Sequence, residues 1–201
     1  GNKWLDISSV ITVTNAGHVR KEVIEDIIKQ AESGLLYNFT FPSEPRLRFL
    51  EKLIEFTPPY LEKAFLMNAG SEACENTIKL MRKYGHEISG PKKNIIISFE
   101  NAFHGRTLGS QMIGGLPDLK DWIVNPDPEI FQVPFPDGFW TEDTSFELFE
   151  KSIKELNINP DNVCGVIVEP FQGANVEFLP VEYAQKLREW TTQHKALMVY
   201  D

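Results

Sequence analysis

Four stretches of this sequence combine residue types able to do chemistry on small anionic or aromatic molecules. Asn68-Ala69-Gly70-Ser71-Glu72-Ala73 follows an apolar run and opens a helical pattern. Gly70 lets a ligand approach the backbone, the free N–H groups of a helix start point at an anion, and the Ser71 hydroxyl adds a donor, which outlines a phosphate seat. The same residues also read as an ordinary helix start, with Ser71 as cap and Glu72 and Glu75 favourable to the helix dipole. In Glu100-Asn101-Ala102-Phe103-His104-Gly105-Arg106-Thr107 a ring, an imidazole and a guanidinium gather beside a glycine. Phe103 can stack on a flat heteroaromatic ring and Arg106 can grip a carboxylate with two hydrogen bonds, or the pair are a core residue and a surface charge. His104 alone reads as a packed or capping residue. Glu169-Pro170-Phe171-Gln172-Gly173 and Val199-Tyr200-Asp201 each put an acid directly after an apolar run. An aspartate in that place can hold a pyridinium nitrogen protonated, or simply cap the next helix.

These residues matter together only if the elements before them bring them to one edge. Short apolar runs at Ala64 to Met67, Asn94 to Phe99, Glu129 to Val133, Cys164 to Val168 and Ala196 to Tyr200 read as strands buried on both faces. Helical patterns separate them: 18 to 33, 43 to 56, 71 to 84, 143 to 156 and 181 to 194, with Ser33-Gly34 and Pro58-Pro59 as stops. The class is α/β, a three-layer α/β/α arrangement with a mostly parallel sheet. In such a sheet ligands bind outside the carboxyl ends of the strands, where the four stretches above begin. Gly114 to Trp140 carries five prolines, at 117, 126, 128, 134 and 136, and reads as a long surface excursion around one strand.

Composition narrows the function. A chain of 201 residues that is 42% hydrophobic can bury a sizeable core. A net charge of -9 argues against binding to nucleic acid or to an anionic membrane surface. The two cysteines, Cys74 and Cys164, sit in a helix face and a strand, which fits a reducing compartment. The four histidines (18, 86, 104 and 194) lack metal-ligand spacing, so no metal is expected. No stretch has the length of a membrane span and the start lacks signal-peptide order, so a soluble, cytoplasmic protein is expected. Both ends read as cut from something longer.

In their order and spacing, the opening Gly1-Asn2-Lys3-Trp4-Leu5-Asp6, Gly70-Ser71-Glu72-Ala73, Phe103-His104-Gly105-Arg106-Thr107, Glu169-Pro170-Phe171-Gln172-Gly173 and Val199-Tyr200-Asp201 resemble the class III aminotransferases of pyridoxal-phosphate (PLP) fold type I. The resemblance covers essentially the whole chain. It implies that 1–45 is an N-terminal segment of the small domain and linker, and 46–201 part of the PLP-binding large domain. It implies that Gly70 and Ser71 bind the cofactor phosphate, Phe103 stacks on the pyridine ring, Asp201 pairs with its nitrogen, and His104 and Glu169 support the ring. Arg106 matches the position that receives a substrate carboxylate. The reaction implied is amino transfer from an amine or amino acid to a 2-oxo acid, in a homodimer, with racemisation or epimerisation, or a non-catalytic chain, as alternatives. The lysine that carries the cofactor is expected beyond Asp201, so these 201 residues alone are expected to be inactive. Many members follow the glutamine-glycine pair with an acid and two glycines. Here Ala174-Asn175-Val176-Glu177 stands instead, which removes an acid that could pair with a second arginine and points away from the usual ornithine or 4-aminobutyrate enzymes.

Overall fold

Alternate residues of Ile95–Phe99 face opposite sides of one strand, and all five are buried, so this segment must have packed layers on both sides. The computed structural model, which describes residues 1–37 and 40–201, supplies them. It divides into two compact units, Gly1–Phe65 and Leu66–Asp201.

In the first unit a single turn, α1 (Ser9–Thr12), precedes α2 (Lys21–Glu32) and α3 (Glu44–Phe56). α2 stops before Gly34, whose φ of 70° closes a helix that a side chain would strain. α3 carries Pro45 in its first turn and ends before Pro58-Pro59. Both helices fall within the ranges expected from the sequence pattern, yet neither contains a buried residue.

The second unit begins with α4 (Gly70–Ser89), whose Cys74, Ile78, Met81 and Gly85 form one buried stripe. β1 (Ile95–Phe99), α5 (Leu108–Ile113), β2 (Ile130–Val133), α6 (Glu147–Glu155) and β3 (Val163–Val168) follow. A small antiparallel hairpin, β4 (Phe171–Gln172) with β5 (Glu177–Phe178), leads into α7 (Val181–Gln193) and β6 (Leu197–Tyr200). The main sheet has the order β2-β1-β3-β6, with every pair parallel. The expected three layers are present. Ile95, Ile97, Phe99, Val166 and Val168 pack with Phe149 of α6 and Tyr183, Leu187 and Trp190 of α7. Ile96, Cys164 and Ile167 pack with α4 and with Ile113 of α5.

Four features depart from the sequence expectation. Among the described residues the run Ala64 to Met67 pairs with no strand; Phe65, Leu66 and Met67 are exposed, and without a ladder partner an apolar run stays irregular. The single turn α1, the short helix α5 and the hairpin β4–β5 lie outside the sequence expectation, because each is too short to show a periodicity.

α4 lies close to the sheet at two glycines. A Cβ on Gly85 would overlap the Lys93 carbonyl and Cys164, and one on Gly165 would overlap Met81. β3 carries a bulge opposite Ile95/Ile96, which turns both Cys164 and Gly165 toward α4. Alanine is the better helix former by about 1 kcal/mol. Gly85→Ala should nevertheless lower stability by about 1–3 kcal/mol, read as a lower urea midpoint, because backbone cannot yield as a side chain can. A second prediction concerns the proline-rich excursion, which Arg82 of α4 holds by donating to Asp127 at 2.6 Å. That hydrogen bond keeps the Asp127 carboxyl below the usual range. Its stabilisation is therefore full above the ordinary carboxylate pKa and disappears as pH falls through the lower folded value. Asp127→Asn should flatten the fall of the urea midpoint below about pH 4.

Candidate functional site

The strands β1, β3 and β6 are neighbours, so their carboxyl ends form one ridge, and the chain leaving each end carries one of the acids or the aromatic cluster. Asp201 extends the ladder by one residue, its N–H donating to Val168 O at 3.1 Å. After β1, Asn101 turns the chain with a φ of 61°. Phe103 and His104 then point apart: the Phe103 ring is 41% exposed and His104 only 2%.

His104 Nδ1 lies 2.7 Å from Asp201 Oδ2. An ionised carboxylate only accepts, so Nδ1 is assigned the proton. The other ring nitrogen, Nε2, is buried with no partner among the described residues. Cys74 of α4 reaches the same carboxylate oxygen, its thiol donating at 3.5 Å. Burial, and then the Asp201 charge, push the Cys74 thiol up to about 12, so it stays protonated. Glu169, buried after β3, accepts from the N–H groups of Phe103 at 3.0 Å and Gly173 at 3.4 Å. Burial raises its carboxyl above the usual range, while these N–H donors and His104 pull it back. Gln172 of β4, fully buried, donates to Glu100 O at 2.9 Å and so ties the chain after β3 to the chain after β1.

The start of α4 meets the same loop. Gly105 has a φ of 124°, and a Cβ there would overlap Ser71 and come within 2.8 Å of Ser110 Oγ, so only glycine lets the loop rest on the helix. The Arg106 N–H donates to Ser71 Oγ at 3.1 Å, which leaves the serine hydroxyl free to donate elsewhere. The Arg106 residue itself is exposed, and apart from its chain neighbours and its own helix backbone no described residue comes within 4 Å of where a Gly70 side chain would begin. Glu72 accepts from the Asn68 backbone and side chain at the helix start.

Glu75 was read as favouring the α4 dipole, but the structure gives it a different task. Its Oε1 accepts from Thr107 Oγ1 at 2.6 Å, Gly109 N at 2.7 Å and Ser110 N at 3.2 Å, at the start of α5. The signal available in the sequence was Thr107 and Ser110 at capping-box spacing, with Gly109 between them leaving room for the carboxylate.

Ser71, Phe103, His104, Gly105, Glu169 and Asp201 are thus joined by contacts along one ridge. Helix-start N–H groups beside open space, a half-exposed ring and a carboxylate held from behind by a buried imidazole fit a flat cofactor with a phosphate at one end and a basic ring nitrogen at the other, as in PLP. The lysines held inside the fold are occupied elsewhere. Lys93 Nζ donates to Asp161 O and His194 O before β1, at the amino end of the sheet, and Lys120 Nζ donates to Gly114 O and Gln132.

Comparison with known proteins agrees with this geometry. Residues 1–201 match the family model described as "Aminotransferase class-III". The chain is 34% identical over its full length to an acetylornithine/succinyldiaminopimelate aminotransferase of Yersinia pestis, and 33% identical to a succinylornithine transaminase/acetylornithine aminotransferase of Pseudomonas aeruginosa. It spans about half the length of these curated relatives, 46% of each. Among solved structures, a transaminase from a marine Virgibacillus superposes with a TM-score of 0.88 at 27% identity, covering 98% of this chain and 45% of that one. An (S)-enantioselective omega-transaminase from Thermomicrobium roseum, at 23% identity and a TM-score of 0.89, covers 98% of this chain and 46% of its own and shares the fold. With its whole length matched by one family model and the sheet edge of that family's fold in place, this chain belongs to the class III aminotransferases.

Proposed function

We propose that this chain forms the cofactor-binding part of a PLP-dependent enzyme that moves an amino group between an amine or amino acid and a 2-oxo acid. The observation that carries the reading is the Asp201 carboxylate, held at 2.7 Å by a buried imidazole on the ridge where Phe103 and Ser71 also converge.

Ser71 and the first N–H groups of α4, with Gly70 leaving the approach open, bind the phosphate by charge-assisted hydrogen bonds. Phe103 lies against the ring face, and Glu169 fixes that residue through its backbone N–H. Asp201 pairs with the ring nitrogen, while His104 donates to the far side of the carboxylate and keeps it aimed. When bound, PLP supplies an electron-withdrawing ring that stabilises negative charge at the substrate carbon. Arg106, exposed beside Ser71, receives a substrate carboxylate remote from the reacting amine.

The proton-carrying lysine is proposed to lie beyond Asp201, as the resemblance to the family implies; Lys93 and Lys120 are engaged away from the ridge. We read 1–45 as part of the small domain and linker and 46–201 as part of the large domain. The working enzyme is proposed to be a homodimer in the cytoplasm. Among the described residues no helix is long and apolar enough to cross a membrane.

Titration of the protein with PLP, followed by its absorbance, tests the binding role. Ser71→Ala should weaken uptake about tenfold, the worth of one charge-assisted hydrogen bond. Saturable binding unchanged in both Ser71→Ala and Asp201→Asn would overturn the site. In steady-state assays of the complete enzyme, Asp201→Asn should slow amino transfer roughly 10²–10³-fold, as expected when a group that stabilises developing charge is lost. Arg106→Ala should raise KM for a dicarboxylic 2-oxo acid roughly 10–100-fold, and leave that for a monocarboxylic one nearly unchanged.

A further inference from the structure

Three metal-binding side chains from three separate elements meet on the ridge: Cys74 on α4, His104 after β1 and Asp201 after β6. Their ligand atoms all lie within 4.8 Å of one another. Sγ is 3.5 Å and Nδ1 2.7 Å from Asp201 Oδ2. We propose that the cofactor-free protein binds one zinc-like divalent cation on Cys74, His104 and Asp201, and that this cation and the cofactor exclude each other by competing for the Asp201 carboxylate. The exclusion rests on the function proposed above; the binding does not.

The donor set decides the class of ion. A thiolate, an imidazole and a carboxylate suit a borderline-soft ion that accepts tetrahedral geometry, whereas magnesium and calcium favour oxygen alone. Tetrahedral zinc with bonds of about 2.0–2.3 Å sets its ligand atoms roughly 3.3–3.6 Å apart. The Cys74–Asp201 separation already lies in that range. The His104–Asp201 pair has to open by roughly 0.5 Å, which follows when the cation replaces the proton the two now share. Two protons leave to solvent on binding, one from the Cys74 thiol and one from His104 Nδ1. Cys74 and His104 are buried, with donor atoms within 4.8 Å of each other, so side-chain shifts bring both onto the ion, while the exposed Asp201 gives it an entry and leaves the fourth position to water. His104 Nε2 has no acceptor among the described residues to raise its basicity, so the site is weaker than a closed structural zinc centre and yields to saturating cofactor.

Cobalt(II) is the probe, because a thiolate ligand gives it a charge-transfer band in the near ultraviolet. Cofactor-stripped protein titrated with cobalt should bind one ion per chain with that band, and zinc should abolish the band. Cys74→Ser should remove the band and weaken binding at least tenfold. His104→Asn should weaken binding comparably, while Cys164→Ser, which changes the other buried cysteine, should leave it intact. Adding PLP should release the ion one for one. Binding without the band, or equal binding by the parent, Cys74→Ser and His104→Asn, overturns the site. If Cys74→Ser does not fold by urea titration, Cys74→Ala carries the same expectation. PLP uptake measured without metal separates the two proposals. Cobalt binding with no PLP uptake overturns the function and leaves the metal site standing, whereas PLP uptake that fails to displace cobalt overturns the exclusion.

Discussion

A parallel sheet has no face to leave to water, because each crossover lays a helix on one side or the other. In this chain the constraint shows as two different cores. On one side Phe99, Phe135, Phe146, Phe149, Tyr183 and Trp190 fill the space with stacked and edge-on rings, such as Phe99 against Phe135 at 5.9 Å and Phe149 against Trp190 at 5.0 Å. On the other side α4 presses close, on small residues and sulfur: Cys74, Gly85, Cys164 and Gly165. Because every crossover returns to the same end, the chain leaves the sheet repeatedly along one ridge. Polar groups on that ridge can be anchored in protein on one side and open to a ligand on the other.

The close approach of α4 gives that helix influence over the ridge. Ser71, Cys74 and Glu75 stand three and four residues apart in its first turns, so they lie on one face and meet the same ridge. Ser71 meets Gly105 and Arg106, Cys74 meets Asp201, and Glu75 holds the start of α5. The loop carrying Phe103 to Arg106 is therefore held at its far end by α4 and at Phe103 by Glu169. Its conformation is set before a ligand arrives, which lowers the ordering cost of binding.

Buried polar groups need partners, and here the partners link the chain after β3 to the chain after β1. Glu169 spends its two oxygens on the N–H groups of Phe103 and Gly173, and Gln172 on Glu100. Lys93, buried at the opposite end of the sheet, lies among carbonyl oxygens, and burial lowers its pKa. The contrast between the two ends is chemical. At the amino end a charge is enclosed by backbone, and at the carboxyl end charges are held from behind and left open in front.

The periodicities of residues 71–84, 94–99, 129–133, 164–168 and 181–200 determine their helices and strands, since amphipathic helices and doubly buried strands write their packing into residue order. The α/β class and the candidacy of Gly70, Ser71, Phe103, His104, Arg106, Glu169 and Asp201 were legible for that reason. The run at Ala64 to Met67 was misleading, because an apolar stretch becomes a strand only when another strand offers it a ladder. Pairings across long separations were not legible either. Cys74 and His104 stand 127 and 97 residues from Asp201, and only the sheet order brings them to one carboxylate. Glu75 carries no local sign of capping a helix more than thirty residues away. Residue types and local spacing, which sequence holds, decide what chemistry is possible. Which oxygen accepts from which donor is decided by how the layers pack, because hydrogen bonds reach only a few ångströms and the fold alone sets those distances.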